Sequence, residues 1–381
     1  LVLPAIGLAV AAGMYGLRVA THATSASNAA DAGSTMACTV ASSRTIPVGP
    51  DDRLAILPDG TVVIARDIHK GLKLENLSDG GTTLAPGNPM IAAIGHNYDD
   101  VVLRGVTYEG APATFVQLDQ EALGTFIGVF SPDATVSQRV PGPVNGIAAA
   151  TFGKGVVMVS TTPEGGHARP WGMTSGAEAF LLARAAGIHR TSIEEGGAAA
   201  PSVAVQGDRV AVAYRFGTEI HFARLDEGLA RIGDVQTVAQ TTSAPAVAFA
   251  PGNVPAVFWV DDAGGKTRLY GSALVPGSTG TSAFSPPKIA TAEPLSPRAP
   301  VTAQLPDGAW VVAWMASTGG LSTLRVSPIG EAGELTSKAD LASSSTIDAL
   351  RAVSTSKGVD FWWYESESLV RMAEVTCPVR R

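Results

Sequence analysis

Residues 201–214 read PSVAVQGDRVAVAY: a short run alternating Val and Ala with polar residues, a Gly207-Asp208 turn, and a second apolar run ending on Tyr214. This is a β-hairpin in sequence, with a half-buried first strand and a more uniformly apolar second strand closer to a core. The turn is expected to be of the primed type, Asp208 and the glycine before it supplying its positive φ.

The same unit recurs along the chain. RVAVAY ends at Tyr214, VPAVFW at Trp259, AWVVAW at Trp314 and VDFWWY at Tyr364, and three weaker copies put Arg66, Val116 and Ser160 at the same point. Successive spacings are 50, 44, 54, 45, 55 and 50 residues, the period of a β-propeller blade. The expected fold is all-β, a seven-bladed β-propeller. The first three copies lack the aromatic marker, so six or eight blades fit the same pattern. Packing in the wedge between blades accounts for the periodic aromatics. With 42 Gly, 25 Pro and only 16% charged residues, the chain has the turn density of many short strands, against roughly 25% charge in ordinary soluble domains. Turn signals fall where the repeat needs them, at Pro58-Asp59-Gly60, Glu109-Gly110, Pro251-Gly252-Asn253, Pro306-Asp307-Gly308 and Lys357-Gly358.

The seventh unit runs out of chain. Residues 348–353, 359–365 and 368–376 supply three strands, and only five residues follow. Residues 39–48 read as a spare strand ahead of the first unit. Pairing it with residues 369–375 completes the last blade, removes two free sheet edges, and brings together Cys38 and Cys377, the only cysteines. A disulfide there is worth on the order of 5 kcal/mol on the chain-entropy model, and it points to an oxidising compartment.

Residues 38–381 are thus expected to form one propeller domain. Residues 1–17 carry no charge and precede Arg18, so residues 1–20 read as a signal peptide or a membrane anchor, a tether in the second case. Residues 21–37 read as a flexible Ala/Ser/Thr linker. Export to the periplasm, the exterior or the cell envelope follows from either reading, and a monomer is expected. The net charge is −7, with no basic cluster beyond Arg380-Arg381, which excludes a phosphate-backbone partner.

No nucleophile elbow, zinc-protease helix, phosphate-binding loop or dinucleotide fingerprint occurs, and neither a metal nor a cofactor is expected. The six histidines, His22, His69, His96, His167, His189 and His221, are scattered along the chain. Propellers present ligands on loops between second and third strands. Those loops hold Asp67 and His69; Asp119 and Glu121; Glu164, His167, Arg169 and Trp171; Asp261 and Asp262; and Glu365 and Glu367. Residues 162–177 form the longest, with an acid, a His, an Arg and a Trp, and are the leading ligand-binding candidate.

PSVAVQGDRVAVAY, PAVAFAPGNVPAVFW and PVTAQLPDGAWVVAW resemble repeats of secreted bacterial propellers of loosely sialidase-like type, over residues 45–377. Sialidases carry S-x-D-x-G-x-x-W turns, an arginine triad and a tyrosine nucleophile. This chain has no such turn and no position matching those residues by motif, so no catalytic residue is carried over. The expected function is a non-enzymatic binding or assembly module at the cell envelope, its partner a glycan or an envelope protein. The alternative is a glycan hydrolase or lyase whose channel acids act as a general acid and base.

Overall fold

Strands that are apolar throughout, such as Gly155–Thr161, give a sheet two apolar faces, which no single sheet can bury alone; stacking the copies around an axis buries both. The computed structural model describes residues 38–377 except 67–72, 78–81, 84–99, 121–123, 132–134, 141–145, 162–175, 184–186, 264–265, 277–281, 292–297, 319–320 and 345–346. The expected signal or anchor and linker segments, residues 1–37, lie outside the described residues.

The strands form seven antiparallel sheets, the blades of a seven-bladed β-propeller. The first strands of the blades are Arg53–Ile56, Asp100–Tyr108, Gly146–Phe152, Ala198–Gln206, Ala246–Ala250, Val301–Gln304 and Asp348–Ser354. From blade one to blade seven each first strand meets the next, and these strands form the inner ring. Hydroxyls satisfy the ring's free strand edges. Thr151 Oγ1 accepts from Thr107 N (2.7 Å), Ser202 Oγ from Val247 N (3.0 Å) and Ser354 Oγ from Gln304 N (3.1 Å), while Thr302 Oγ1 donates to Val247 O (2.7 Å). An unpaired edge group buried between blades would otherwise be costly.

All seven repeat markers lie in second strands. Trp259 and Trp314 are buried in one core cluster spanning blades four to six, and Tyr214 in a cluster joining blades three and four. Tyr364 departs from the wedge-packing expectation, being only partly buried. Blade five departs too, because Lys288–Thr291 adds a further strand beside Lys266–Pro276. At the Gly207-Asp208 turn, Gly207 takes the positive φ (63°) and Asp208 does not, since a turn with glycine in its first central position needs only one such residue. The two Pro-Asp-Gly turns are alike: Gly60 and Gly308 have φ of 85° and 87°, and Asp59 and Asp307 accept from the N–H two residues on.

The ring closes as expected. Thr39–Pro47 pairs antiparallel with Leu369–Thr376 as the outermost strand of blade seven, from Thr39↔Thr376 to Pro47↔Leu369, and a disulfide joins Cys38 to Cys377. At the lower end of the channel, Gln206 Oε1 accepts from Gln304 Nε2 and from Trp310 Nε1, both at 2.7 Å, tying blade four to blade six.

Asp360, in the second strand of blade seven, is a weak point of this closure. It is 3% exposed and its Oδ1 has no hydrogen-bond partner. Burial, and then the Glu374 charge, push its pKa up from 3.8 to about 6, with Arg44 and Lys357 pulling the other way. A carboxyl whose folded pKa is raised stabilises the fold fully below the unfolded pKa, and that stability falls as pH rises through 6. Asp360→Asn should therefore raise the unfolding free energy at pH 7.5 by on the order of 1 kcal/mol after solvent screening, and change it little at pH 4. Denaturant melts at the two pH values check this.

Candidate functional site

First strands run from the upper face, where the second-to-third hairpins also lie, to the lower face. Most carry only small, apolar or uncharged residues toward the channel, as in Ala246–Ala250 and Val301–Gln304. Three carry an arginine: Arg53 in blade one, Arg104 in blade two and Arg351 in blade seven. These blades are neighbours around the closure, and the three arginines line one cavity of about 250 Å³ with Leu54, Val101, Leu103, Trp362 and Tyr364.

Local structure aims them. Each guanidinium donates through Nη1 to the carbonyl before its own residue: Arg53 to Asp52 O (3.3 Å), Arg104 to Leu103 O (3.0 Å) and Arg351 to Leu350 O (3.0 Å). Gly105, next to Arg104, lets the first strands of blades one and two approach; a Cβ there would sit 1.9 Å from Ile56 O. Backbone cannot yield to that clash, so Gly105→Ala should destabilise the fold by about 2–4 kcal/mol in a denaturant melt. In blade seven the register breaks between Asp348 and Arg351, and Ala349 between them takes a φ of 48°. A strained bulge of this kind re-aims the side chain that follows it.

The site's electrostatics are unbalanced. Arg104 keeps contact with the cavity while protein encloses it, and burial together with the Arg351 charge brings its pKa down to about 9. No hydrogen bond or ion pair joins Arg104 to a carboxylate among the described residues. Burial pushes the Tyr364 phenol above its ordinary range; Arg53 and Arg351 pull it back, and Asp52 pushes it further. Asp52 itself is occupied, accepting from Gly49 N at 2.7 Å and pairing with Arg66 at 3.4 Å. Three cations and a phenol thus line a cavity beside the Asp52 carboxylate, an arrangement that favours an added anion.

Of the sequence candidates, Asp67, His69, Glu121, Glu164, His167, Arg169 and Trp171 lie outside the described residues. Asp261 and Asp262 sit at the upper end of blade five's second strand, Val254–Ala263. Asp261 Oδ1 accepts from Asp262 N at 2.8 Å, and Asp262 Oδ1 accepts from the Thr267 hydroxyl. Glu365, in blade seven, forms an ion pair with Arg371 Nε at 2.9 Å. Each is engaged within its own blade. The channel arginines went unassigned in the sequence, although a charge inside a small-residue inner strand (LRG at 103–105, LRA at 350–352) is a usable signal. Among the described residues, no group of three or more His, Cys, Asp or Glu is placed to hold a metal.

A second polar cluster locks blade three to blade four. Glu194 Oε2 accepts from the Tyr214 hydroxyl at 2.7 Å and lies 2.8 Å from His221 Nδ1, while His221 Nε2 lies 2.8 Å from Glu219 Oε2. The His221 ring stacks on Phe216 at 4.7 Å. Burial and the bond to Glu194 push the Tyr214 phenol up, and the bond from His221 holds Glu219 down. Nearly every polar atom of this cluster has a partner inside it, so we read it as an inter-blade clasp.

No protein-family model matches the chain, and no curated protein matches it. Solved structures do resemble it in shape. Kuenenia stuttgartiensis hydrazine synthase matches at 10% identity and a TM-score of 0.48, over 85% of this chain and 94% of that one. AofleA from Arthrobotrys oligospora matches at 11% identity and 0.44, over 78% and 90%. The fucose-specific lectin from Aleuria aurantia matches at 12% identity and 0.42, over 77% and 95%. A likeness at this level carries no function.

Proposed function

We propose that this chain is an exported, non-enzymatic binding module that takes an acidic sugar at the upper mouth of its channel. The observation behind this reading is the convergence of Arg53, Arg104 and Arg351 on one cavity, with Arg104 lacking a carboxylate partner among the described residues. A guanidinium withdrawn from water is unfavourable until an anion meets it, and its planar fork matches carboxylate or sulfate oxygens two at a time. Tyr364 beside the arginines offers a hydroxyl and a ring edge to the sugar. A cavity of about 250 Å³ suits one sugar ring better than a protein loop. The Cys38–Cys377 bridge supports an oxidising, exported setting, and residues 1–17 would deliver the domain to the cell envelope or tether it there.

Asp261 and Asp262 belong to blade five and Glu365 to blade seven, and each has a partner within its own blade. A glycan array carrying uronate, sialylated, sulfated and neutral sugars tests the proposal. Retention confined to acidic sugars and weakened by added salt is expected. Equal retention of neutral sugars, or steady turnover of an acidic one, would overturn it.

A further inference from the structure

The lower face carries a separate hollow between blades four and five, of about 270 Å³. Its wall is apolar, built from Val210, Leu225, Phe249 and Pro255, and its rim carries Ile232 and the guanidinium side chains of Arg209 and Arg224. The hollow shares no lining residue with the channel cavity, and Phe249 in its wall packs against Trp310 of the Gln206–Gln304–Trp310 clasp, with ring centroids 6.1 Å apart.

Ile232 is 42% exposed, yet its loop is firmly built. Asp226 Oδ1 accepts from Gly228 N and Ala230 N at 2.9 and 2.8 Å, Leu229 is fully buried, and Ile232 N donates to Arg224 O at 2.8 Å. The loop therefore holds an isoleucine at the edge of an apolar hollow instead of folding it inward. Neither the Arg209 nor the Arg224 side chain has a hydrogen bond or ion pair among the described residues. A preformed apolar wall with two cations at one rim complements a ligand with a hydrocarbon body and a single acidic head, because burying the body releases water while the head meets the guanidinium groups.

We infer that this hollow is a second ligand site, one that binds a small amphipathic acid: an aliphatic or aromatic carboxylate entering with its apolar end first. Titration of the full chain with anilinonaphthalenesulfonate, followed by displacement with octanoate and with octanamide, tests it. Octanoate should displace the dye about tenfold more effectively than the neutral amide, the value of one charge-assisted contact. Ile232→Asp and Arg224→Gln lie at the rim and should leave the thermal melt unchanged while weakening octanoate about tenfold each. Arg104→Ala, which removes the channel site, should leave octanoate affinity as it was. Equal displacement by octanamide, undiminished octanoate binding in both rim variants, or its loss in Arg104→Ala would each overturn the proposal, the last by placing the acid in the channel.

Discussion

Replacing both Cys38 and Cys377 by serine lowers the unfolding free energy by about 3–5 kcal/mol and makes the unfolding transition broader. The bond spans a sequence separation of 339 residues, so its loss frees nearly the whole chain in the unfolded state. It also sits at the one place where the ring depends on strands from opposite ends of the chain: Thr39–Pro47 is held in blade seven by its ladder to Leu369–Thr376. That strand is mostly solvent-facing, with only Ile46 buried. Little apolar burial therefore retains it once the covalent tie is cut. Opening exposes the edge of Leu369–Thr376, so the serine variant should also aggregate sooner on heating. Denaturant melts of the oxidised protein and the variant, with light scattering on the heated samples, read both effects. An unchanged midpoint would mean that blade packing alone closes the ring.

The second large effect concerns the channel. Arg104→Ala combined with Arg351→Ala removes two of the three cations facing the cavity and should lower affinity for an acidic sugar by about a hundredfold or more. It should leave the fold intact or slightly more stable, because burial and mutual repulsion already disfavour the Arg104 charge. Binding and stability thus move in opposite directions, which separates loss of a ligand contact from loss of structure. Arg104→Lys keeps the charge but not the planar fork, and should recover only part of the binding. Titration calorimetry and a thermal melt on the same samples provide both readouts.

The architecture was legible because blade formation depends on short-range pattern. Alternation, Pro-Asp-Gly turns and an aromatic near the end of the last four second strands all operate within about 20 residues, as in a hairpin. Ring closure could be read for a different reason: a three-stranded last blade, a spare first strand and two terminal cysteines have one common solution. Blade five's added strand, Lys288–Thr291, was not legible, since KIAT lies among prolines and has no hairpin of its own. The channel cavity is not legible in the sequence because its residues come from positions 53, 104, 351 and 364, and only the ring brings them together. Loop length points to residues 162–177 instead. Gly105 was the neglected clue, for a glycine inside an apolar strand marks a place where another backbone comes close.

The proposed acidic-sugar site requires that the upper channel mouth hold an anion. An anomalous-scattering map from crystals soaked in selenate, a tetrahedral oxyanion visible by its selenium, tests it most directly. A selenium peak is expected within hydrogen-bonding distance of Arg53, Arg104 and Arg351. A carboxylate of the chain itself seated among the three guanidinium groups, with no selenium there, would contradict it.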